Sequence, residues 1–221
     1  MNVRRVLCIL ALIMLAPLPA LATNHGDPAR GKKLAEGCKE CHGVGGENRI
    51  EGFPNLASQK YNYLIKQLRE MRATAKARHG EKVATSSAAK TLLRAKRTNE
   101  IMDPFVVDLS DEDIRDLSAY YSELPCDAVM AGAPVAPPRF EIRCQVCHGK
   151  FGIAKNANVP SIAGQDITYL ENQLRSFKEA GAARAEGGDK RRAAIMEGQV
   201  RHLSEQDIKD ISLYYGRLPC R

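Results

Sequence analysis

The chain has 221 residues, a formal net charge of +7 and 44% hydrophobic residues, a size that suits one large domain or two small ones. The overall charge says little about partners, and without a recognisable nucleic-acid module it does not indicate nucleic-acid binding. The seven cysteines need an explanation of their own.

The chain begins with the pattern of a secretory signal peptide. A basic start, MNVRR, precedes the apolar run VLCILALIMLAPL and a small-residue cleavage site at Ala20 to Ala22. We expect residues 1–22 to be removed and the mature protein to reach the periplasm. Loss of Arg4 and Arg5 lowers the formal charge from +7 to +5. The alternative, a retained anchor, is not favoured because the apolar run is short for a membrane span.

The first part of the mature chain, 23–130, has helical patterns throughout. In GDPARGKKLAEG, Asp27 is a candidate helix cap and Pro28 takes the first helical position. The motif CKECHG follows at 38–43, and the apolar spacing of SQKYNYLIKQLREMR predicts a longer helix. A last helix begins after LSDEDI, where Ser110 and Asp113 form a capping-box pattern.

The Pro- and Ala-rich stretch AGAPVAPP, residues 131–138, predicts a linker. Beyond it, in 139–221, CQVCHG at 144–149 precedes DITYLENQLRSF and LSEQDIKDISLYYGRL, which repeat the earlier helical patterns. No segment has a convincing strand pattern. We therefore predict an all-α fold of two tandem domains.

The second domain is a copy of the first. A shift of 106 residues superimposes the two CxxCH motifs, and after the middle helix the shift becomes 94 because the first copy carries twelve extra residues. The matched pairs include Pro54 with Pro160, Gln59 with Gln165, Met102 with Met196, and Cys126 with Cys220. Matches in this order indicate a duplication.

Each copy carries one CxxCH motif. The residues are Cys38, Cys41 and His42 in the first copy and Cys144, Cys147 and His148 in the second. A zinc site would draw four thiolates from one domain, whereas these pairs lie in separate copies. A redox dithiol would follow a strand in a βαβ unit, which an all-α chain lacks. We therefore interpret each motif as a covalent haem anchor whose histidine binds the iron.

A six-coordinate haem iron also needs a distal ligand, and thioether sulfur is a ligand that raises the reduction potential. Methionine is more often core filler, and Met71 and Met130 have no methionine partner in the repeat. Met102 and Met196 occupy the same place in both copies, seven residues before the Leu-Ser that starts the last helix. We predict Met102 and Met196 as the distal ligands.

The other histidines, His25, His79 and His202, are unpaired across the repeat and are predicted to lie at the surface. His79 is a less favoured alternative ligand for the first iron. It belongs to a basic stretch from Arg69 to Arg97 that contains nine Lys or Arg residues and two Glu residues. This stretch is either a solvated face or a docking site for an acidic partner.

Together these motifs resemble the class I c-type cytochromes, duplicated as in the diheme cytochrome c4 family. The resemblance rests on CxxCHG, a Pro twelve residues after the His, the shared Q-x-x-x-Y-L-x-x-Q-L, a lone Met and LS-x-x-DI…YY, and it covers essentially the whole mature chain. It implies that the carbonyls of Pro54 and Pro160 accept the ring N–H of His42 and His148. It also implies that Gly31 lets the first helix cross the last.

Two features depart from the family pattern or stay open. Domain two lacks a clear first helix, since PPRFEIRC offers only a short turn before its motif. Cys126 and Cys220 end the two copies at equivalent positions, and the sequence leaves open whether they form a disulfide or remain separate thiols. Bridging would require Cα atoms within about 7 Å.

An iron closed by His and Met has no open position for substrate and can only exchange an electron. We predict a non-enzymatic periplasmic carrier with two covalently bound haem c groups, serving a membrane electron donor and a terminal oxidase or reductase. The alternative is the electron-accepting haem subunit of an exported dehydrogenase, of the flavocytochrome or thiosulfate- and sulfide-oxidising type. A diheme peroxidase would require one iron that opens. Contact with a membrane surface is left open.

Overall fold

The computed structural model describes residues 25–48, 50–81, 86–94, 97–127, 135–182 and 191–220. Within these ranges the chain is helical and forms no strand, which confirms the predicted all-α class. The predicted signal peptide, Met130 and residues 131–134 of the predicted linker lie outside them. No helix in the described part is long and apolar enough to cross a membrane.

The first copy begins with α1, which leads through a 3₁₀ turn at Ala35–Gly37 into a short helix that ends on His42. The longest helix, α3, follows after a loop and packs against the last helix, α6. The bounds are α1 Pro28–Leu34, α2 Lys39–His42, α3 Tyr61–Arg78, α4 Ser87–Arg94, α5 Asp103–Val106 and α6 Asp111–Glu123.

The second copy repeats this order, but its described residues contain no counterpart of α1 or α4. Residues 135–140 form no helix, and α7 begins at Glu141, only one turn before Cys144, as the sequence predicts. Its long helix α8 packs against both α9 and α10. The bounds are α7 Glu141–His148, α8 Ile167–Ala182, α9 Ala194–Val200 and α10 Glu205–Gly216.

The last helix of each copy begins at a confirmed capping box. The Ser110 side chain accepts a hydrogen bond from the Asp113 backbone N–H, and the Asp113 carboxylate accepts one from the Ser110 backbone. Ser204 and Asp207 do the same at the start of α10. Since such caps satisfy backbone donors that have no partner inside the helix, each contributes about 1 kcal/mol.

The last helix of each copy lies at the centre of the core of that copy. Ile114 on α6 and Ile208 on α10 are fully buried. In the first copy α1 packs across α6, and Gly31 lies at the crossing: a Cβ there would be 2.0 Å from the Asp116 carbonyl oxygen. Only glycine therefore allows this close approach, as the resemblance implies.

A disulfide joins the two copies. Cys126 and Cys220 are bonded, with their Cα atoms 5.8 Å apart, which answers the question that the sequence leaves open. Because they are repeat equivalents, the bond joins the same point of both copies. A pseudo-twofold arrangement of the copies produces such a bond.

In the basic stretch of the first copy, several side chains are paired with carboxylates or buried. Arg72 pairs with Asp111 at 2.5 Å, and Arg78 pairs with Asp103 at 2.8 Å. Arg97 is only 6% exposed. The alternative of a solvated face therefore does not hold for Arg97, which donates a hydrogen bond to Tyr169 of the second copy.

Candidate haem sites

The first candidate site is built on α2 and the loop that follows it. His42 is 5% exposed, and its Nδ1 lies 3.0 Å from the carbonyl oxygen of Pro54. A carbonyl oxygen can only accept, so Nδ1 carries the proton and Nε2 keeps a free lone pair. Nε2 is buried and has no hydrogen-bond partner among the described residues. A ring held in this way has the form of a metal ligand.

The second candidate site has the same construction on one continuous helix. The helix α7 carries Cys144, Cys147 and His148, and His148 Nδ1 lies 2.8 Å from the carbonyl oxygen of Pro160. The hydrogen bonds that the family resemblance implies are thus present in both copies. A loop of equal length returns the proline to the histidine in each case.

The electrostatics of both sites favour a neutral imidazole. Burial lowers the pKa of His42 and of His148, although the bond to the proline carbonyl opposes this effect. Neutral imidazole is the form that binds metals. Both rings are therefore ready to act as ligands.

The first cysteine of each motif lies in apolar surroundings. Burial raises the pKa of the Cys38 thiol, and it raises the pKa of the Cys144 thiol to about 11. A redox-active dithiol requires a lowered thiol pKa. The site therefore suits attachment chemistry better than thiol–disulfide exchange.

In the second copy, the predicted distal ligand and the first motif cysteine belong to the same core. Met196 and Cys144 both pack against the cluster formed by α8, α9 and α10, which includes Phe177, Ile208 and Tyr215. The fold thus brings the two ends of the predicted haem site into one apolar interior.

In the first copy these groups pack against two adjacent clusters. Met102 lies against Met71 and its neighbours, whereas Cys38 lies in the cluster of Leu64 and Tyr121. Leu68 and Leu109 contact both clusters. Met71 is buried, as predicted for a core position. The predicted surface histidines His25, His79 and His202 are all exposed.

A family model for cytochrome c matches residues 28–125 and 139–216. A relative named cytochrome c4, from Pseudomonas aeruginosa, is 30% identical over 218 residues, which cover 93% of this chain and 96% of the relative. The chain belongs to the diheme cytochrome c4 family. A cytochrome c4 of this kind carries two covalently attached haem c groups and transfers electrons, as the duplicated motif predicts.

Two further proteins are similar to this chain over most of its length. The crystal structure of reduced recombinant cytochrome c4 from Pseudomonas stutzeri matches with a TM-score of 0.64 and 28% identity, covering 87% of this chain and 99% of that chain. A protein named thiosulfate dehydrogenase electron acceptor, from Stutzerimonas stutzeri (strain A1501), is 26% identical and covers 83% of this chain and 80% of its own.

Two buried arginines fit the carboxylates of haem propionates. Arg97 donates from Nε to Gln67 Oε1 at 3.1 Å and from Nη2 to the hydroxyl of Tyr169, in the other copy, at 3.3 Å. Arg191 donates to Gln67 at 2.6 Å and to the hydroxyl of Tyr63 at 3.1 Å. These hydrogen-bond partners are neutral, and the carboxylate of buried Glu70 is the anion that acts on both guanidinium groups. A buried cation is costly unless it is paired, so two buried arginines beside one carboxylate leave room for a further anion.

Arg191 lies close enough to Arg97 to affect its pKa, whereas, despite burial, the pKa of Arg191 itself is raised by the groups around it, which include Glu70. Burial lowers the pKa of Arg97, and the positive charge of Arg191 lowers it further. A haem supplies two carboxylates, so bound haem would relieve this repulsion. The sequence contains a signal for this pair, since a shift of 94 carries Arg97 onto Arg191. It is easily overlooked because Arg97 ends a stretch rich in Lys and Arg.

Proposed function

We propose that this member of the cytochrome c4 family is a periplasmic electron carrier between respiratory-chain donors and a terminal oxidase or reductase. One observation carries the proposal. In both copies a proline carbonyl holds the histidine of CxxCH by Nδ1, at 3.0 and 2.8 Å, which leaves Nε2 for a metal. The signal-peptide pattern supports export to the periplasm.

Four side chains complete the proposed coordination. His42 and Met102 would bind the iron of the first haem, and His148 and Met196 that of the second, while the cysteines of each motif attach the porphyrin. The haem, when bound, supplies reversible one-electron chemistry. With these four side chains bound, neither iron would keep an open position for substrate. Arg97 and Arg191 would hold propionate carboxylates where the two copies meet.

Optical spectra and a redox titration of the purified holoprotein test this proposal. We expect two haems per chain, both low-spin, and two one-electron steps. Met102→Ala is expected to lower one midpoint potential, and Met196→Ala the other, because loss of a thioether ligand favours the ferric state. Haems with an exchangeable sixth position in the unmodified protein would contradict the carrier and favour a peroxidase.

A second candidate function is the electron-accepting subunit of an exported dehydrogenase. The similarity to proteins named thiosulfate dehydrogenase electron acceptor favours this alternative. Affinity capture of the tagged holoprotein from periplasm would distinguish the two. A catalytic partner retained at one-to-one stoichiometry would favour the subunit, and a protein recovered alone would favour the free carrier.

A further inference from the structure

A pair of glutamines links each histidine site to the opposite copy. The carbonyl of the Pro54–Asn55 peptide accepts from His42, and the N–H of the same peptide donates to Oε1 of Gln165 at 2.6 Å. Gln165 belongs to the second copy. A single peptide unit therefore connects the histidine of one copy to a buried amide of the other.

The reverse connection is also present. The carbonyl of the Pro160–Ser161 peptide accepts from His148, and its N–H donates to Oε1 of Gln59 at 2.9 Å. The shift of 106 carries Gln59 onto Gln165 and Pro54 onto Pro160. The two connections are thus equivalent by the repeat, and each crosses from one copy to the other.

The orientation of each glutamine amide is fixed by further hydrogen bonds. Gln165 Nε2 donates to the Asn55 carbonyl oxygen at 2.9 Å, and Gln165 Oε1 also accepts from the Asp166 backbone N–H. Gln59 Nε2 likewise donates to the Ser161 carbonyl oxygen at 2.9 Å. Both glutamines are buried: Gln59 is 7% exposed and Gln165 is 5% exposed. In both copies the Oε1 atom of the glutamine therefore faces the peptide whose carbonyl accepts from the histidine.

This arrangement affects the electron density of the histidine. A peptide whose N–H is engaged carries more negative charge on its carbonyl oxygen, because hydrogen bonds in a chain polarise one another. A stronger acceptor at Nδ1–H makes the imidazole a more basic ligand. A more basic ligand stabilises ferric over ferrous iron and lowers the reduction potential.

We propose that Gln165 and Gln59 are positioning residues, each of which sets the reduction potential of the haem in the opposite copy. Each acts through the peptide that the histidine contacts. The inference rests on the proposed function, since it takes His42 and His148 as iron ligands. It adds a route by which the contact between the copies tunes both haems.

The test uses the full-length holoprotein and a crossed pair of variants. Gln165→Leu is expected to raise the potential of the haem on Cys38 and Cys41 and to leave the other unchanged. Gln59→Leu is expected to do the opposite. Potentials are resolved for each haem by redox titration followed by NMR. In the reduced protein, the Nδ1 proton resonance of the histidine opposite the substitution is expected to move upfield, because its hydrogen bond weakens.

Thr168→Val is the matched control. Thr168 Oγ1 donates across the same contact to Glu51 at 2.7 Å and touches neither histidine-bearing peptide. Its loss is expected to leave both potentials in place. Gln165→Glu keeps an oxygen opposite the Asn55 N–H and makes it a stronger acceptor. It is expected to lower the first-haem potential below that of the unmodified protein, and this comparison tests the inference if the leucine variant fails to fold.

The outcomes separate this inference from the proposed function. Potentials that do not move, that move equally in both haems, or that move in the haem of the substituted copy would overturn the inference alone. Unmodified protein without low-spin, histidine-ligated haems would overturn the proposed function and this inference with it. A crossed shift that Thr168→Val does not reproduce supports both.

Discussion

The two copies differ most in the support of the haem-attachment helix and least in the contact that holds the histidine. In the first copy α1 precedes the motif and packs across α6. In the second, Glu141 at the start of α7 is buried, and the Tyr215 hydroxyl donates to its carbonyl oxygen at 3.5 Å. Since the histidine–proline bond is present in both, the fold keeps the site while the elements around it vary.

The outer faces of the attachment helices also differ. Ile142 and Val146 lie one helical turn apart on α7 and are 73% and 83% exposed. Their repeat equivalents in the first copy are Glu36 and Glu40, which are also exposed. At these two positions the exposed side chains are apolar in the second copy and acidic in the first.

The largest effect is expected when the covalent link between the copies is removed. In Cys126→Ser/Cys220→Ser, a crosslink between residues 94 positions apart is lost, and the free energy of unfolding is expected to fall. Since the crosslink restricts the unfolded chain, the loss is expected to be about 4 kcal/mol in denaturant unfolding. The two copies are also expected to unfold in separate transitions, which would make their stabilities directly comparable.

Reduction of the unmodified protein is the control for this pair, since it breaks the same bond without a substitution. It is expected to lower the free energy of unfolding by a similar amount. Unchanged stability in both experiments would show that the hydrogen bonds between the copies suffice.

A smaller effect is expected at the crossing of α1 and α6, which has no counterpart among the described residues of the second copy. In Gly31→Ala, the new Cβ would lie 2.0 Å from the Asp116 carbonyl oxygen and 2.9 Å from Tyr120 Cβ, so α1 must move away from α6. We expect a loss of about 2 kcal/mol in the unfolding of the first copy, because overpacking outweighs the better helix propensity of alanine. Denaturant unfolding followed by haem-resolved NMR signals measures it.

Gly37→Ala is the matched control, since a Cβ at Gly37 would have no atom within 4 Å. It is expected to leave the stability of the first copy nearly unchanged. A loss in the second copy equal to that in the first would contradict the view that α1 supports the first copy alone.

The sequence predicts what lies within one copy because the signals are local. The capping boxes at Ser110 and Ser204 follow from spacing within one helical turn, and Gly31 follows from the family pattern. The fold class follows from helical periodicity. None of these predictions requires knowledge of how the copies meet.

The contact between the copies was not predicted, for a physical reason. Gln59 and Gln165 are visible as a repeat pair, but a repeat shows which positions are equivalent and not which positions touch. The burial of Arg97 is not predicted either, because burial of a charge depends on partners such as Tyr169 in the other copy. The sequence also leaves the Cys126–Cys220 disulfide undecided, because it does not show which positions of the two copies touch.

The smallest effect is expected at the capping boxes, which are alike in the two copies. Ser110→Ala and Ser204→Ala each remove the side chain that accepts from the third residue of the last helix. Because both capping boxes have the same hydrogen bonds, each variant is expected to destabilise its own copy by about 1 kcal/mol. Ser122→Ala is the control, since Ser122 lies inside α6 and its hydroxyl donates to the Ala119 carbonyl oxygen without capping the helix. Losses of clearly unequal size, measured by denaturant unfolding of each copy, would show that α1 also stabilises the start of α6.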